Sequence, residues 1–205
     1  MGNHQIYNMS FTAGGLFLRE SVEIAQLYLE IQDWKLVRVR ALQQNVIQSR
    51  TESSSVRVIR EICKRLEKLI GDELKVVAEG SFQEQQQLLW LAICRHHRFI
   101  YGFAVEVIRE KYLQLNLDLL QEDYDAFFNA KAEWHDELEQ LTESTRNKLR
   151  QVVFRMLREA DLLTKANTIN PVILSGQAAR AVASHSPDDL RIFPLSDRDI
   201  RELLQ

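Results

Sequence analysis

Three prolines, seven glycines and two cysteines in 205 residues leave this chain short of the residues that break, turn or cross-link a backbone. So few breakers argue against many short strands joined by tight turns, and the abundance of Leu, Arg, Glu and Gln favours long helices. Two thiols make no disulfide framework. Cys63 and Cys94 sit in apolar, helically spaced surroundings and read as reduced, buried side chains. No apolar run approaches the roughly 20 residues a membrane helix requires, the densest being LLWLAI at 88–93. A signal-peptide pattern is also missing, so a cytoplasmic protein without membrane association is expected. Neither GxGxxG, P-loop, GxSxG nor CxxC occurs, and no enzyme or cofactor is expected.

What is present fits a folded helical protein, with 45% hydrophobic and 27% charged residues. The length admits one domain or two small ones, and the segment 73–80 is the best candidate boundary, giving an N-terminal helical domain over 1–72 and a C-terminal helical domain over 73–205. Residues 1–13 predict a loose arm that becomes ordered near Phe11, followed by a turn at Gly14 and Gly15. Apolar periodicity predicts helices over 16–31, over 34–48 behind an Asp33 cap, and over 56–70 up to Gly71, with 50–55 as a polar connection. A short helix or link at 73–79 precedes two core helices over 82–94 and 99–115. A helix over 144–163, with Ser144 or Thr145 as its cap, leads into 162–164 and 172–174. These two stretches bracket KANTINP and predict a short β-hairpin, a wing, with Pro171 opening an edge strand. Beyond it, a short helix over 175–183, a loop, an extended 190–193 and a capped helix over 196–204 complete the chain. The fold class expected is all-α, mainly helical with a helix-turn-helix outline, plus one β-hairpin near the C-terminus.

The net charge of −3 is unevenly spread. Residues 144–165 hold six basic side chains, Arg146, Lys148, Arg150, Arg155, Arg158 and Lys165, against two acidic ones. Leu149, Val152, Val153, Met156 and Leu157 gather on the opposite arc, so one face packs and the other is cationic. Residues 56–70 repeat the plan, with Arg57, Arg60, Lys64, Arg65 and Lys68 opposite an apolar side. Such faces suit a polyanion, and double-stranded DNA contacted through its phosphates is the leading expectation. Asn147, Gln151 and Asn167 are the few groups suited to reading a base edge. RNA remains a third reading. Residues 118–143 reverse the sign, with nine acidic residues against Lys131 alone, which reads as a solvated face or as the docking surface of a protein-interaction adaptor. In CRHHRF at 94–99, Cys94, His96 and His97 raise a metal reading. Adjacent helical histidines point about 100° apart, and no second cluster stands at ligand spacing, so no metal is expected and the histidines are read as surface or internally satisfied.

Three stretches, GGLFLRES at 14–21, VVAEG at 76–80 and ESTRNKLRQVVFRMLREADLL at 143–163, together resemble the BrxA family of small proteins encoded in bacteriophage exclusion (BREX) defence loci. The resemblance spans about 11–183. It implies an all-helical, NusB-like fold, binding to DNA, and partnership with the methyltransferase, ATPase and phosphatase-like components of that system. It implies no catalytic residues. Its most specific segment is largely packing face, so it speaks for the fold more strongly than for the arginines.

Overall fold

The computed structural model describes residues 6–12 and 14–204, and the first five residues of the expected arm lie outside the described residues. The fold is mainly helical, as expected. The arm is ordered where it is described. Phe11 is 1% exposed, the Tyr7 amide donates to Glu137 Oε1 at 2.8 Å, and the Tyr7 ring lies edge-on to Phe99. At Gly14 the arm runs against the later basic helix so closely that a Cβ would stand 2.5 Å from Met156 Cε and 2.7 Å from the Phe11 carbonyl oxygen. Glycine is required there by space.

Helices α1 (Leu18–Ile31) and α2 (Trp34–Gln43) are joined by a turn in which the Asp33 carboxylate accepts from the amides of Lys35 and Leu36, and Trp34 stacks on Tyr28. α2 is shorter than expected. Asn45 and Gln48 take left-handed backbone, which ends the helix and turns Val46 inward. α3 (Glu52–Leu66) is correspondingly longer at its start. Thr51 caps it by accepting from the Ser54 amide, so the serines expected in a polar connection form its first turn. α4 (Gly71–Glu79) packs against α1 and α5 (Phe82–His96).

α5 is the central helix. A Ser81–Glu84 capping box starts it, nine of its residues are buried, and Trp90 Nε1 donates to the Ile192 carbonyl at 3.2 Å. Helical residues buried nearly all round mark a helix enclosed by others, here α1, α3, α4, α6 (Arg98–Phe103) and α11 (Gly176–His185). The path continues through a π-helical stretch at Ala104–Arg109 into α7 (Glu110–Leu113), then α8 (Gln121–Ala132) and α9 (Asp136–Glu139). A buried ion triad ties the centre together. Arg95 donates to both carboxylate oxygens of the fully buried Glu73 at 2.7 Å and to Asp189 Oδ2 at 2.8 Å, linking α4, α5 and the 3-10 turn Pro187–Ile192.

The basic helix is α10 (Glu143–Glu159), and its cap is Thr142, not Ser144 or Thr145. Thr142 keeps extended backbone and accepts from the Thr145 amide at 3.2 Å, whereas Ser144 and Thr145 are already helical. The expected β-hairpin does not form. Among the described residues there are two isolated antiparallel bridges, Leu163 with Ile169 and Asp118 with Thr168. The turn at 164–168 closes through left-handed Asn167, but beyond Asn170 the chain cannot pair back. Pro171 has no N–H, and the Ile173 carbonyl accepts instead from Gln83 and Gln87 side chains. The expected loop and extended segment around 190 form the 3-10 turn. α12 (Asp197–Leu203) docks through buried Ile200. One buried apolar cluster runs from Phe11 to Ile200. No helix among the described residues is long and apolar enough to cross a membrane.

Candidate nucleic-acid interface

The cations of α10 divide by helical angle. Arg146 and Lys148 lie about 200° apart on the helix, so they serve opposite sides. Arg146 turns toward α8, with its guanidinium 4.3 Å from the Phe128 ring centre and a hydrogen bond to Asn129; Arg150 pairs with Asp125 on the same helix. These two are engaged by the acidic segment. Lys148 and Arg155 face away from α8. Arg158 donates to Asn167 Oδ1 at 2.6 Å and lies over Phe154, while Lys165 is exposed on the following turn.

Lys148 and Arg155 meet the other predicted helix. With Gln151 and Val152 they form one wall of a cleft of about 640 Å³, Thr12 and Gly14 of the arm form its floor, and Arg57 of α3 stands opposite. Arg57 continues into an adjoining cleft of about 200 Å³ with Arg60, Lys64 and Glu61, again floored by Ser10, Phe11 and Thr12. Two cationic faces some ninety residues apart in sequence therefore line neighbouring clefts that share Thr12, Gly14 and Arg57. Lys68 lies past the end of α3 and outside both clefts. Arg155 is softened by Glu159 at 2.7 Å, an ion pair 62% exposed on the arginine side and so weak in water.

Arg65 does not belong to the cationic face. It is 3% exposed and directed inward, donating from Nη1 to the Gly15 carbonyl at 2.7 Å and from Nε to Glu61 Oε1 at 2.8 Å. It fastens the arm to α3 from beneath. Its Glu61 partner also faces His97 Nε2 at 2.9 Å, and although burial opposes the carboxylate charge, the His97 and Arg65 contacts hold its pKa down to about 2. His96 is the opposite case. Burial, with its His97 neighbour, pushes its pKa down to about 4, and neither ring nitrogen has a hydrogen-bond partner among the described residues. Burial drives the Cys63 thiol up to about 12, and Cys94 also rises well above its ordinary value, which makes both thiols unreactive. Sequence reasoning missed the arm as the floor of the cleft, because Thr12 and Gly14 carry no charge and gain their role from position.

Fold and site together define an all-α protein in which two basic helices open onto a shared cleft. The chain belongs to the BrxA family, whose model matches residues 5–186. Among curated relatives, the BREX protein BrxA of Escherichia coli is 29% identical over 147 residues, covering 72% of this chain and 69% of that protein. The BREX protein BrxA of Bacillus cereus is 24% identical over 163 residues, covering 80% and 82%. A solved structure, the crystal structure of an uncharacterized protein from Magnetospirillum magneticum, matches with a TM-score of 0.80 at 26% identity, covering 93% of this chain and 100% of that one.

Proposed function

We propose that the chain is a non-enzymatic component of a BREX phage-defence system that binds double-stranded DNA through the paired clefts and works beside other components of that system. The observation that carries this reading is the convergence of Arg57, Arg60 and Lys64 with Lys148 and Arg155 around one floor. Family membership supplies the BREX setting. α2 and α3, joined through residues 44–51, serve as a helix-turn-helix-like pair whose second helix presents its free face to the duplex. Gln151 sits among the cleft cations and is the best placed of the three candidate base readers, since Asn167 is held by Arg158. The exposed carboxylates Glu122, Glu133 and Asp136 around α8 and α9 form a separate surface for a basic partner protein.

The test is fluorescence anisotropy of labelled duplexes across a salt series. Five cleft cations, each neutralising one phosphate, give a log–log salt slope of about −4.5, and removing two lowers its magnitude by about 1.8. Arg57→Ala with Lys148→Ala should therefore flatten the slope and weaken all sequences alike. Reversal of charge at Arg146 and Arg150 should leave the slope unchanged. Binding that ignores salt, or a slope untouched by the double substitution, refutes the cleft as the site. The same series with duplex RNA separates deoxyribose from ribose recognition.

A further inference from the structure

Helix α5 ends at His97, where the backbone leaves helical geometry at φ −115 and ψ 92. Two adjacent helical histidines would point apart. This break swings the rings together, to 4.5 Å between centres with planes 70° apart, and brings both to Glu61 of α3. One nitrogen of each ring and one Glu61 oxygen lie within 4.8 Å of one another. From these residues we propose that Glu61, His96 and His97 form a binding site for a divalent cation of the zinc class, bridging α3 to the α5–α6 junction.

Two independent features point to a ligand. The first is His96, whose two ring nitrogens are both buried and unpartnered among the described residues. A neutral imidazole always presents one donor and one acceptor, and leaving both unsatisfied in the interior is costly enough to call for a water or an ion. The second is His97. Its Nδ1 faces the Asn8 carbonyl at 3.3 Å and its Nε2 faces the Glu61 carboxylate at 2.9 Å, so both nitrogens meet oxygen acceptors. A neutral ring can donate to only one of them. Without an ion, Nε2–H can donate to Glu61; with Nδ1–H donating to the backbone carbonyl instead, Nε2 offers its lone pair to a cation held between ring and carboxylate. A ring that donates its outer N–H to a carbonyl and offers Nε2 inward is the arrangement that orients histidine ligands on metals.

Spacing and chemistry agree with the assignment. Zinc at about 2.05 Å from each ligand sets tetrahedral neighbours about 3.3 Å apart. The ligand atoms, 2.9 Å apart in the closest pair and all within 4.8 Å of one another, lie on the scale of that distance. Two imidazoles and a carboxylate are a borderline donor set suited to zinc rather than calcium or magnesium. Glu61 also lines the smaller cleft, so one ligand of the three stands at an opening to solvent. Arg65, bonded to the same Glu61 oxygen, and Lys68 oppose a dication, so the affinity belongs in the micromolar range rather than that of a zinc finger. The ion would tie the arm, through Asn8 and His97, to the helix that bears Arg57, Arg60 and Lys64.

The experiment is titration of chelator-stripped full-length chain with zinc, followed by calorimetry and thermal unfolding, with cobalt as an optical probe. Expected are one zinc per chain, a raised melting temperature, and cobalt absorption of a low-symmetry site. His96→Gln should weaken binding more than about 100-fold, beyond the 10–100-fold typical of losing an outer partner; His185→Ala, an exposed histidine on α11, should bind like wild type. Circular dichroism checks the fold of each variant. X-ray absorption on zinc-loaded wild type, which needs no variant, should give two imidazoles. Unsaturable binding, equal affinity in His96→Gln, or absorption lacking imidazole scattering overturns the site.

Discussion

Removing the Arg95 guanidinium should destabilise the protein more than removing an ordinary surface charge, and the size of the loss follows from its two carboxylate partners. Arg95→Ala strips two charge-assisted hydrogen bonds from Glu73, which is fully buried, and one from Asp189, which is 7% exposed. A charged hydrogen bond contributes about 1.5–3 kcal/mol. Asp189 is close enough to the surface to recover some hydration, whereas Glu73 is left as an unpaired buried anion, so the net cost is that of breaking a buried pair, about 3–5 kcal/mol. For a chain of this size each 1 kcal/mol moves the melting temperature by about 2–4 °C, and the drop should be about 6–20 °C. Urea unfolding and calorimetry measure both quantities. Because the penalty arises from the stranded carboxylate, Arg95→Ala combined with Glu73→Ala should be less destabilised than the sum of the two single changes. A loss below about 1 kcal/mol, or an additive cycle, would refute the reasoning.

Two further outcomes test the arm and the α5 cap. Gly14→Ala places a Cβ against Met156 and the Phe11 carbonyl, and a cost of about 1–3 kcal/mol is expected in equilibrium unfolding, together with faster proteolysis of the arm; unchanged stability would mean that the arm does not press on α10. The Glu84 carboxyl is held below its ordinary value of 4.5 by the Ser175 hydroxyl first and then by the amide and hydroxyl of Ser81. Its ionised form is therefore the one that stabilises the fold. That contribution is complete above pH 4.5 and is lost as pH falls through the lowered folded value, so the stability gap between wild type and Glu84→Gln should be widest at neutral pH and narrow in acid. A gap that does not change with pH removes the carboxylate from the account.

Much of the helical layout is legible in the sequence because periodicity reports burial. Spacing alone assigns Leu149, Val152, Val153, Met156 and Leu157 to a packing face, and all are buried. Ends are less legible. Thr142 outcompetes Ser144 for the cap because three neighbouring hydroxyl residues offer equal chemistry, and tertiary packing selects among them. The hairpin fails for a related reason. KANTINP does turn, but strand pairing depends on what lies alongside, and the Leu117 carbonyl accepts the Ile169 amide that a hairpin partner would have used. Charge alone cannot sort the arginines. Arg65 shares its helix with Arg57 and Arg60, yet its angle points it at the Gly15 carbonyl, and nothing local to the sequence announces that carbonyl. The grouping of His96, His97 and Glu61 is equally hidden, since it depends on a helix end at His97 and on a residue 35 positions before His96.

The arm that floors the clefts has a consequence for the order in which the molecule is made. Tyr7 and Gly14 are synthesised more than a hundred residues before the surfaces that receive them, Glu137 and the Met156 side of α10. Domains fold as units once their contacts are available, and contacts this distant in sequence close late. A chain interrupted before α10 would carry the cations of α3 without the opposite wall. Assembly of the cleft thus waits on the synthesis of α10.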